Sequence, residues 1–389
     1  MAPRIEDALG WLSGQRGAME ALLERLVAQN SFTQHRAGVE AVANLAAGQL
    51  RALALDVEVK GSARYGPHVL FSTRSGAGAP VFLLGHTDTV FPPGTFEGLR
   101  RDGDRASGPG AFDMKGGIVV MLFGLAAAKR AGLLERVSVK GILVSDEEAG
   151  SPESQPLVRA HAKGAACALC FESGRPGDLI VTRRKGVGSV RVEARGVAAH
   201  AGNEHEKGRN AIWSIARFID RAQGLTDSAR GVTVNVGLVA GGTTKNTVPS
   251  SASCEVDLRF EAADDGDALV EQLQIVAAEA AVPGTAIEVA RSSWRDPLER
   301  TSASSAVAKE YGECQRESGL GMGEAPLAGG GSDACTTGAA GIPSIDALGP
   351  RGRGYHTAAE EVDLSSLAPK AAALVRFLAR RAGGATSSQ

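Results

Sequence analysis

The sequence has 389 residues, of which 43% are hydrophobic and 22% charged, a balance that excludes a largely disordered chain, a collagen and a coiled coil. Its length suggests two or three domains, and a formal net charge of −2 gives no broad basic surface for nucleic acid or for an anionic membrane. Glycine is abundant, with 50 residues, whereas aromatic residues make up only 4%. We therefore expect an aliphatic core and many tight turns.

Targeting signals and disulfides are not expected. Residues 1–7 show no basic segment followed by an apolar one, as a secretory signal would. The longest apolar stretch, residues 118–128, is shorter than the ~18 residues of a membrane-spanning helix. The five cysteines are scattered and odd in number. Cys167 and Cys170 lie in an apolar run and are interpreted as core residues, since positions three apart on a strand face opposite sides. These features predict a cytoplasmic protein.

The first and last parts of the chain show the pattern of an α/β domain. Apolar residues recur at helical spacing in residues 22–27 and 39–50. A helix is expected over residues 116–134. Short strands are expected at residues 57–59, 69–71, 81–84, 137–145, 166–171 and 344–347. Alternation of strands and helices predicts an α/β sheet with helical crossovers.

The middle of the chain follows a different order. Strands are expected at residues 188–193, 232–239, 254–260 and 286–289, and helices at residues 210–225 and 268–281. This β-α-β-β-α-β order is typical of a ferredoxin-like domain. We therefore predict an inserted domain over 183–293, with 1–182 and 294–389 forming the larger domain. The Ser- and Gly-rich tail, residues 383–389, is expected to fray.

Histidine and acidic residues follow several of the predicted strands. In open α/β sheets, ligands bind at the carboxyl ends of the strands, and His and carboxylate ligands suit zinc. Two histidines and several acids exceed the needs of one four-coordinate ion, but they suit two metals that share a bridging carboxylate. The residues are His86, Asp88, Asp113, Asp146, Glu147, Glu148, Glu172 and His356.

Spacing adds a local argument about the roles. In an extended chain, adjacent residues face opposite ways, so we expect one of Glu147 and Glu148 to bind metal while the other faces the reacting water. His86 and Asp88 share a side, which would let Asp88 orient the imidazole. Spacing alone does not decide between the two glutamates.

Six short strings resemble, in the same order, the motifs of the aminoacylase/carboxypeptidase family of di-zinc metallopeptidases, with the closest likeness to glutamate carboxypeptidases of the carboxypeptidase G type. The strings are GHTDTV (85–90), GPGAFDMKGG (108–117), DEEAG (146–150), CFES (170–173), GGGSD (329–333) and GYH (354–356). The resemblance implies a zinc-peptidase-like mixed sheet with flanking helices and an inserted ferredoxin-like lid and dimerisation domain. It also implies two Zn²⁺ per subunit, with Co²⁺ or Mn²⁺ as other possible metals, and a homodimer.

The resemblance further implies roles for individual residues in the larger domain. Asp113 would bridge the two metals, with His86 and Glu172 at one site and Glu148 and His356 at the other. Glu147 would be the general base, and Asp88 would orient His86.

In the inserted domain, the resemblance implies contacts with the substrate. His200, in GVAAHAG (196–202), would reach a neighbouring subunit's active site and bind the carbonyl oxygen as negative charge develops there. Asn246 and Arg259 would hold the substrate, and Arg295 lies near a second substrate-binding position. A guanidinium is suited to binding a carboxylate at two points.

The implied reaction is hydrolysis of the amide bond of an N-acyl or peptidyl amino acid, with release of a glutamate-like acidic residue. One departure concerns the lysine that such enzymes carry shortly after the metal-binding glutamate, which is absent here. Arg183, Arg184 and Lys185 follow slightly later, and we interpret this trio as a solvated joint between domains.

Several alternatives remain open at this stage. Within the family they are an acetylornithine-type deacylase, a succinyl-diaminopimelate-type desuccinylase and a dipeptidase. Outside it they are a non-catalytic metal-binding protein on the same fold and a di-metal phosphoesterase, whose ligand set can look similar.

Overall fold

The computed structural model describes residues 5–384. Residues 1–4, which belong to the segment inspected for a secretory signal, and residues 385–389 of the tail expected to fray lie outside the described residues.

The described residues form ten α-helices and sixteen β-strands. The helices are α1 (Ile5–Ser13), α2 (Arg16–Val27), α3 (Arg36–Ala52), α4 (Gly116–Arg130), α5 (Ser154–Ala162), α6 (Ala211–Gln223), α7 (Ala263–Ala280), α8 (Ser302–Glu317), α9 (Asp333–Ala339) and α10 (Leu367–Gly384). The strands are β1 (Asp56–Lys60), β2 (His68–Ser72), β3 (Ala77–His86), β4 (Arg100–Asp102), β5 (Arg105–Ser107), β6 (Val137–Val144), β7 (Cys167–Cys170), β8 (Gly186–Arg195), β9 (Ala199–His200), β10 (Thr233–Gly241), β11 (Thr247–Val248), β12 (Ser251–Phe260), β13 (Ala286–Arg295), β14 (Ser344–Ile345), β15 (Gly352–Arg353) and β16 (Glu361–Asp363).

The chain divides into two compact units. The second unit consists of Arg184–Glu299 together with Gly329–Gly331, and the first unit consists of the remaining described residues. Strand β13 runs past the domain boundary that was predicted after residue 293, because Arg295 still pairs with Val187 of β8.

The first unit is built on a mixed six-stranded sheet with the order β1-β2-β6-β3-β7-β14. Strand β3 is parallel to both β6 and β7, and β14 is parallel to β7, whereas β2 runs antiparallel to β6. Its central strands are buried runs of aliphatic residues, as expected where helices cover a parallel sheet. A separate four-stranded sheet has the order β15-β16-β5-β4. The predicted α/β fold class is confirmed.

Helix α4 lies in the core of this unit and packs against α10, α1 and β3. Residues Ala111–Arg130 are the one described segment long and apolar enough to cross a membrane, but 89% of its most apolar window is buried within the protein, as in a core helix. The helix ends four residues earlier than predicted. Gly132 adopts a φ of 65°, which is the left-handed conformation that commonly terminates a helix.

The second unit has the order β8-α6-β10-β12-α7-β13, apart from two short strands. Its main sheet is antiparallel with the strand order β10-β12-β8-β13. Alternate residues of β12 are buried and meet apolar residues of α6 and α7, including Phe218 and Leu273. This is the strand and helix order that the sequence predicts, and period-two burial explains why its strands were recognisable.

Candidate metal centre

Three parallel strands bring the predicted ligands to one edge of the sheet. Strands β6, β3 and β7 are neighbours, with His86 opposite Val144 and Leu84 opposite Cys170. Because the strands are parallel, the residues that follow them emerge at the same edge. His86 ends β3, Glu147 and Glu148 follow β6, and Glu172 follows β7.

A tight turn before α4 supplies Asp113. Gly110 adopts a φ of 73° at the start of this turn, and the peptide bond between Asp113 and Met114 is cis. Gly117, in the first turn of α4, lets the helix pass close to the end of β7, because a Cβ there would lie 1.9 Å from the carbonyl oxygen of Phe171. The next residue of that strand end is Glu172, so Gly117 sets the distance between two of the predicted ligands.

Asp113 lies between two imidazoles, and each of its oxygens faces a different one. Its Oδ1 is 3.5 Å from Nε2 of His86, and its Oδ2 is 3.4 Å from Nε2 of His356. Glu172 Oε1 lies 3.6 Å from Nε2 of His86, and Glu148 Oε2 lies 3.1 Å from Nε2 of His356. The cluster therefore has two halves, each made of one imidazole, one glutamate and one oxygen of Asp113.

The atoms on the His86 side fit a bound cation. His86 is 1% exposed, and its Nδ1 donates a hydrogen bond of 3.0 Å to the carbonyl oxygen of Asp88. In the neutral imidazole this leaves a lone pair on Nε2, which faces the oxygens of Asp113 and Glu172. Among the residues that the structure describes, none donates a hydrogen bond to the buried Asp113 Oδ1. Three acceptors that converge on a buried point are the donor set that a zinc-type ion takes.

Burial and neighbouring charges shift the pKa values of several groups in this cluster. Burial raises the pKa of Glu148 to about 7, with the charge of Asp113 adding to the effect. Burial likewise raises the pKa of Glu172. Hydrogen bonds to Asp113 and Glu148 raise the pKa of His356 to about 11. Carboxylates crowded into a low dielectric hold protons that a metal ion would replace.

Glu147 lies beside the His86 half of the cluster. Its carboxylate, Glu172 and the His86 imidazole offer atoms that all lie within 4.8 Å of one another. The sequence argument assumed that Glu147 and Glu148 lie in an extended chain. In the structure β6 ends at Val144, and Glu147–Ala149 form a 3-10 turn. Glu148 contacts His356, and it also offers an atom within 4.8 Å of His86 and Asp113, so both glutamates face the same cluster.

Asp88 is buried and contacts several residues besides His86. Its carboxylate lies 3.5 Å from Nδ1 of His86, farther than its own carbonyl oxygen. The carboxylate also accepts hydrogen bonds from the backbone N–H groups of Glu147 (3.3 Å) and Glu148 (3.2 Å) and from the Thr33 hydroxyl (2.8 Å). Asp88 therefore ties the end of β3 to the turn that carries both glutamates.

Sequence reasoning missed two residues, one of which bonds Asp88 and the other the backbone of the turn that carries Asp113. Thr33 lies 55 residues before Asp88 and has no motif around it. Glu360 lies four residues after His356, and its carboxylate accepts hydrogen bonds from the turn that carries Asp113. The sequence does show an acidic residue shortly after His356. It does not show which of the adjacent residues Glu360 and Glu361 contacts the site.

The other predicted site residues belong to the second unit. His200 Nδ1 accepts hydrogen bonds from the N–H groups of Gly202 (3.2 Å) and Asn203 (3.1 Å), so the neutral ring carries its proton on Nε2. The Ala201 N–H donates to the carbonyl oxygen of Asn246, which brings Asn246 close to His200. Arg259, on β12, donates two hydrogen bonds to Asp257 at 2.9 and 3.1 Å.

Two basic residues named from the sequence are buried in the structure. Arg295 is only 6% exposed, and its side chain passes over Gly331, where a Cβ would meet Arg295 Cδ at 2.6 Å. Arg184 is 5% exposed and donates a hydrogen bond to the carbonyl oxygen of Gly330. The interpretation of residues 183–185 as a solvated joint is therefore wrong for Arg184, because that side chain is buried.

Comparison with known proteins agrees with this geometry. A sequence model of peptidase family M20/M25/M40 matches residues 82–380. The chain belongs to peptidase family M20/M25/M40. It is similar to carboxypeptidase G2 of Pseudomonas sp. (strain RS-16), at 30% identity over 91% of this chain and 86% of that protein. It is also similar to succinyl-diaminopimelate desuccinylase of Acidiphilium cryptum, at 30% identity over 58% of this chain and 64% of that protein.

Solved structures share the fold. An aminopeptidase from Bacillus cereus superimposes with a TM-score of 0.76, at 21% identity over 94% of this chain and 99% of that one. The resemblance drawn from the six sequence strings is confirmed. As a member of family M20/M25/M40, the protein is a metal-dependent hydrolase that acts on acyl or peptidyl amino acids.

Proposed function

We propose that the protein is a di-zinc amidohydrolase that releases a C-terminal acidic amino acid, such as glutamate, from an N-acyl or peptidyl amide. One observation carries the metal part of this proposal: the two oxygens of Asp113 face two different imidazoles at 3.5 and 3.4 Å. A carboxylate in that position suits a bridging ligand. His86 and Glu172 would hold one zinc ion, and His356 and Glu148 the other.

Bound zinc supplies Lewis-acid activation of a carbonyl group and of water. Glu147 acts as the general base: it takes a proton from the attacking water and passes it to the leaving amine. Its carboxylate offers an oxygen within 4.8 Å of ligand atoms of His86 and Glu172, so it lies within reach of the His86 half of the cluster. Asp88 keeps the proton of His86 on Nδ1 and holds the Glu147 backbone in place.

His200 stabilises the negative charge that develops on the carbonyl oxygen. The two backbone N–H groups that bond to Nδ1 leave Nε2–H as the donor, which is the proton that this role requires. His200 is exposed in the second unit and free to meet a ligand there.

The leaving group is held by its carboxylate. Arg259 binds Asp257 through two nearly equal hydrogen bonds, which is the geometry in which it would bind a substrate carboxylate. Asn246 and Arg295 complete this group of proposed substrate contacts. The likeness to carboxypeptidase G2 favours glutamate as the residue released.

A substrate panel tests the proposal. Acyl-glutamates, acyl-aspartates, acetylornithine, succinyl-diaminopimelate and dipeptides are compared by kcat/KM, while the metal content of the purified protein is measured. Faster cleavage of acetylornithine or succinyl-diaminopimelate than of every acyl-acidic substrate would contradict the proposed leaving group. A metal content of one ion per chain at full activity would contradict the paired site.

Replacing Glu147 tests the assignment of the general base. Glu147→Gln is expected to lower kcat by about 10²- to 10⁴-fold, because proton transfer loses its acceptor, while the metal content stays unchanged. Glu24→Gln, at an exposed position of α2, is the control and leaves kcat unchanged. A wild-type protein that holds two metals and cleaves none of the amides would favour the non-catalytic alternative.

The proposed homodimer forms through the second unit. Strand β10 is an edge of the main sheet, and it exposes Leu238 (64%) and Val239 (66%). Exposed apolar residues on an edge strand suit strand pairing with a second copy of the chain. The protein is proposed to act in the cytoplasm.

A further inference from the structure

Glu360 is a fully buried acidic side chain outside the proposed ligand set. It is 0% exposed and lies at the end of the loop that begins with His356. Its Oε1 accepts hydrogen bonds from the backbone N–H groups of Phe112 (2.8 Å) and Asp113 (2.9 Å), and its Oε2 accepts one from Gly110 (3.2 Å).

The three donors belong to the turn that carries Asp113. In this turn the N–H of Asp113 itself points to Glu360, while the Asp113 side chain lies between the two imidazoles. Glu360 therefore contacts the backbone of a proposed ligand without belonging to the ligand cluster. Hydrogen bonds between a carboxylate and backbone N–H groups are charge-assisted and are about twice as strong as neutral ones.

The same residue is tied to His356 through a short turn. The Thr357 N–H donates to the carbonyl oxygen of Gly354, and the Glu360 N–H donates to that of Thr357. His356, between them, adopts a φ of 62°. This left-handed conformation is uncommon for a residue with a Cβ. Glu360 anchors the far end of the loop in the core through its hydrogen bonds to the Asp113 turn.

We propose that Glu360 is a positioning residue that fixes the Asp113 turn relative to the His356 loop and so sets the separation of the two metal sites. The inference rests on the proposed function, because it assumes that Asp113 and His356 are metal ligands. The Glu360 carboxylate accepts hydrogen bonds from three backbone N–H groups that lie 247 to 250 residues away in sequence. Through them it would control the geometry of the metal site that uses His356.

The alternative is that Glu360 only contributes to folding. A buried carboxylate with good hydrogen bonds supports stability wherever it lies, so loss of stability alone does not distinguish the two ideas. They differ in what happens to metal binding by folded protein. A positioning residue affects affinity and coordination geometry, and replacing such a residue typically costs 10- to 100-fold in metal affinity.

The test compares Glu360→Gln with Glu361→Gln. The amide keeps the size of the side chain but turns an NH₂ group toward at least one of the three N–H donors. Glu361 is the matched control, because it is adjacent and acidic but bonds the surface residues Arg105 and Arg353. Metal-free proteins are titrated with Co²⁺, which reports affinity and geometry through its visible absorption, and unfolding of each metal-free protein is measured separately.

We expect Glu360→Gln to weaken binding of at least one Co²⁺ by 10-fold or more and to alter its absorption spectrum, with kcat reduced more than KM is changed. Glu361→Gln should match the wild type in every measurement. If Glu360→Gln does not fold, Glu360→Asp is used in its place. Aspartate keeps the charge, but its side chain is one methylene shorter. Wild-type affinity and spectrum in a folded variant would overturn the inference, as would failure of both variants to fold. Absence of metal binding by the wild type would instead overturn the proposed function.

Discussion

The close approach of α4 to the end of β7 makes Gly117 the most informative position for testing how packing sets the metal centre. In Gly117→Ala, the new Cβ would lie 1.9 Å from the carbonyl oxygen of Phe171. Carbon and oxygen atoms approach no closer than about 3.3 Å without repulsion, so helix and strand must separate by about 1.4 Å. The obstructing atom is backbone, which cannot rotate away as a side chain can.

This displacement acts directly on two proposed ligands. Asp113 precedes α4, and Glu172 directly follows Phe171, so the separation opens the His86 half of the cluster. We expect metal affinity to fall by 10- to 100-fold and kcat by about 10²-fold, the usual effect of misplacing reacting groups by 1 Å. Overpacking of this kind should also lower the free energy of unfolding by about 3 kcal/mol.

Two other glycine-to-alanine variants calibrate the result. Gly124 lies on the same helix, but a Cβ there would meet Cδ2 of Leu374 at 2.8 Å, and that side chain can move. Gly48, exposed on α3, has nothing within 4 Å of the position of a Cβ, and alanine should stabilise the helix there by about 0.5–1 kcal/mol. Co²⁺ titration and urea unfolding are measured for all three. Wild-type metal affinity in Gly117→Ala, or an equal loss in Gly124→Ala, would refute the reasoning.

Three further predictions concern other parts of the molecule. Thr33→Val should lower the free energy of unfolding by about 1–2 kcal/mol and reduce kcat, because Asp88 loses a buried hydroxyl donor; Thr33→Ser should restore both, and equal behaviour of Val and Ser would contradict this. Burial lowers the pKa of Lys115 to about 7, whereas its unfolded value is near 10.4. The unfolded chain therefore binds one more proton at this residue between these values, so Lys115 contributes a rise in the stability of the metal-free protein from about pH 7 to 10, whereas the raised pKa of His356 contributes a fall over the same range. Lys115→Met should lose that rise, by about 2 kcal/mol between pH 7 and 9, and an unchanged pH dependence in urea unfolding would refute the shift. Leu238→Lys on β10 should give monomers in light scattering, whereas Ile275→Lys, at an equally exposed site of α7, should not; dimers in both, or monomers in both, would exclude β10 as the interface.

The sequence was most informative where residue period and strand order agree. Strands β3, β6 and β7 are apolar runs: β3 ends in His86, Glu147 and Glu148 follow β6, and Glu172 follows β7. Because the strands are parallel, these ends lie at the same edge of the sheet. The alternating strands of the second unit were equally clear, because one face of each is buried.

Other features could not be predicted because they depend on atoms that meet only in the folded chain. The burial of Arg184 depends on its bond to Gly330, far away in sequence. The choice of Glu360 over Glu361 depends on which side chain faces the Asp113 turn. The helices α8 and α10 have apolar faces, but no motif drew attention to them. The 3-10 turn that carries Glu147 and Glu148 could not be predicted, because the apolar pattern of β6 shows where the strand ends but not the conformation that follows it.

The discontinuity of the first unit has a consequence for the order in which the protein is made. Asp113 and Glu360 are 247 residues apart. During synthesis, His86, Asp113 and Glu172 are therefore made long before the loop that carries His356. The second unit, by contrast, is almost continuous, from Arg184 to Glu299. Domains generally fold as units during synthesis, so the second unit can be complete while the ligand cluster still lacks His356. In the proposed two-metal site, an ion captured early would therefore meet only the His86 half of the cluster, because the loop that carries His356 is made later.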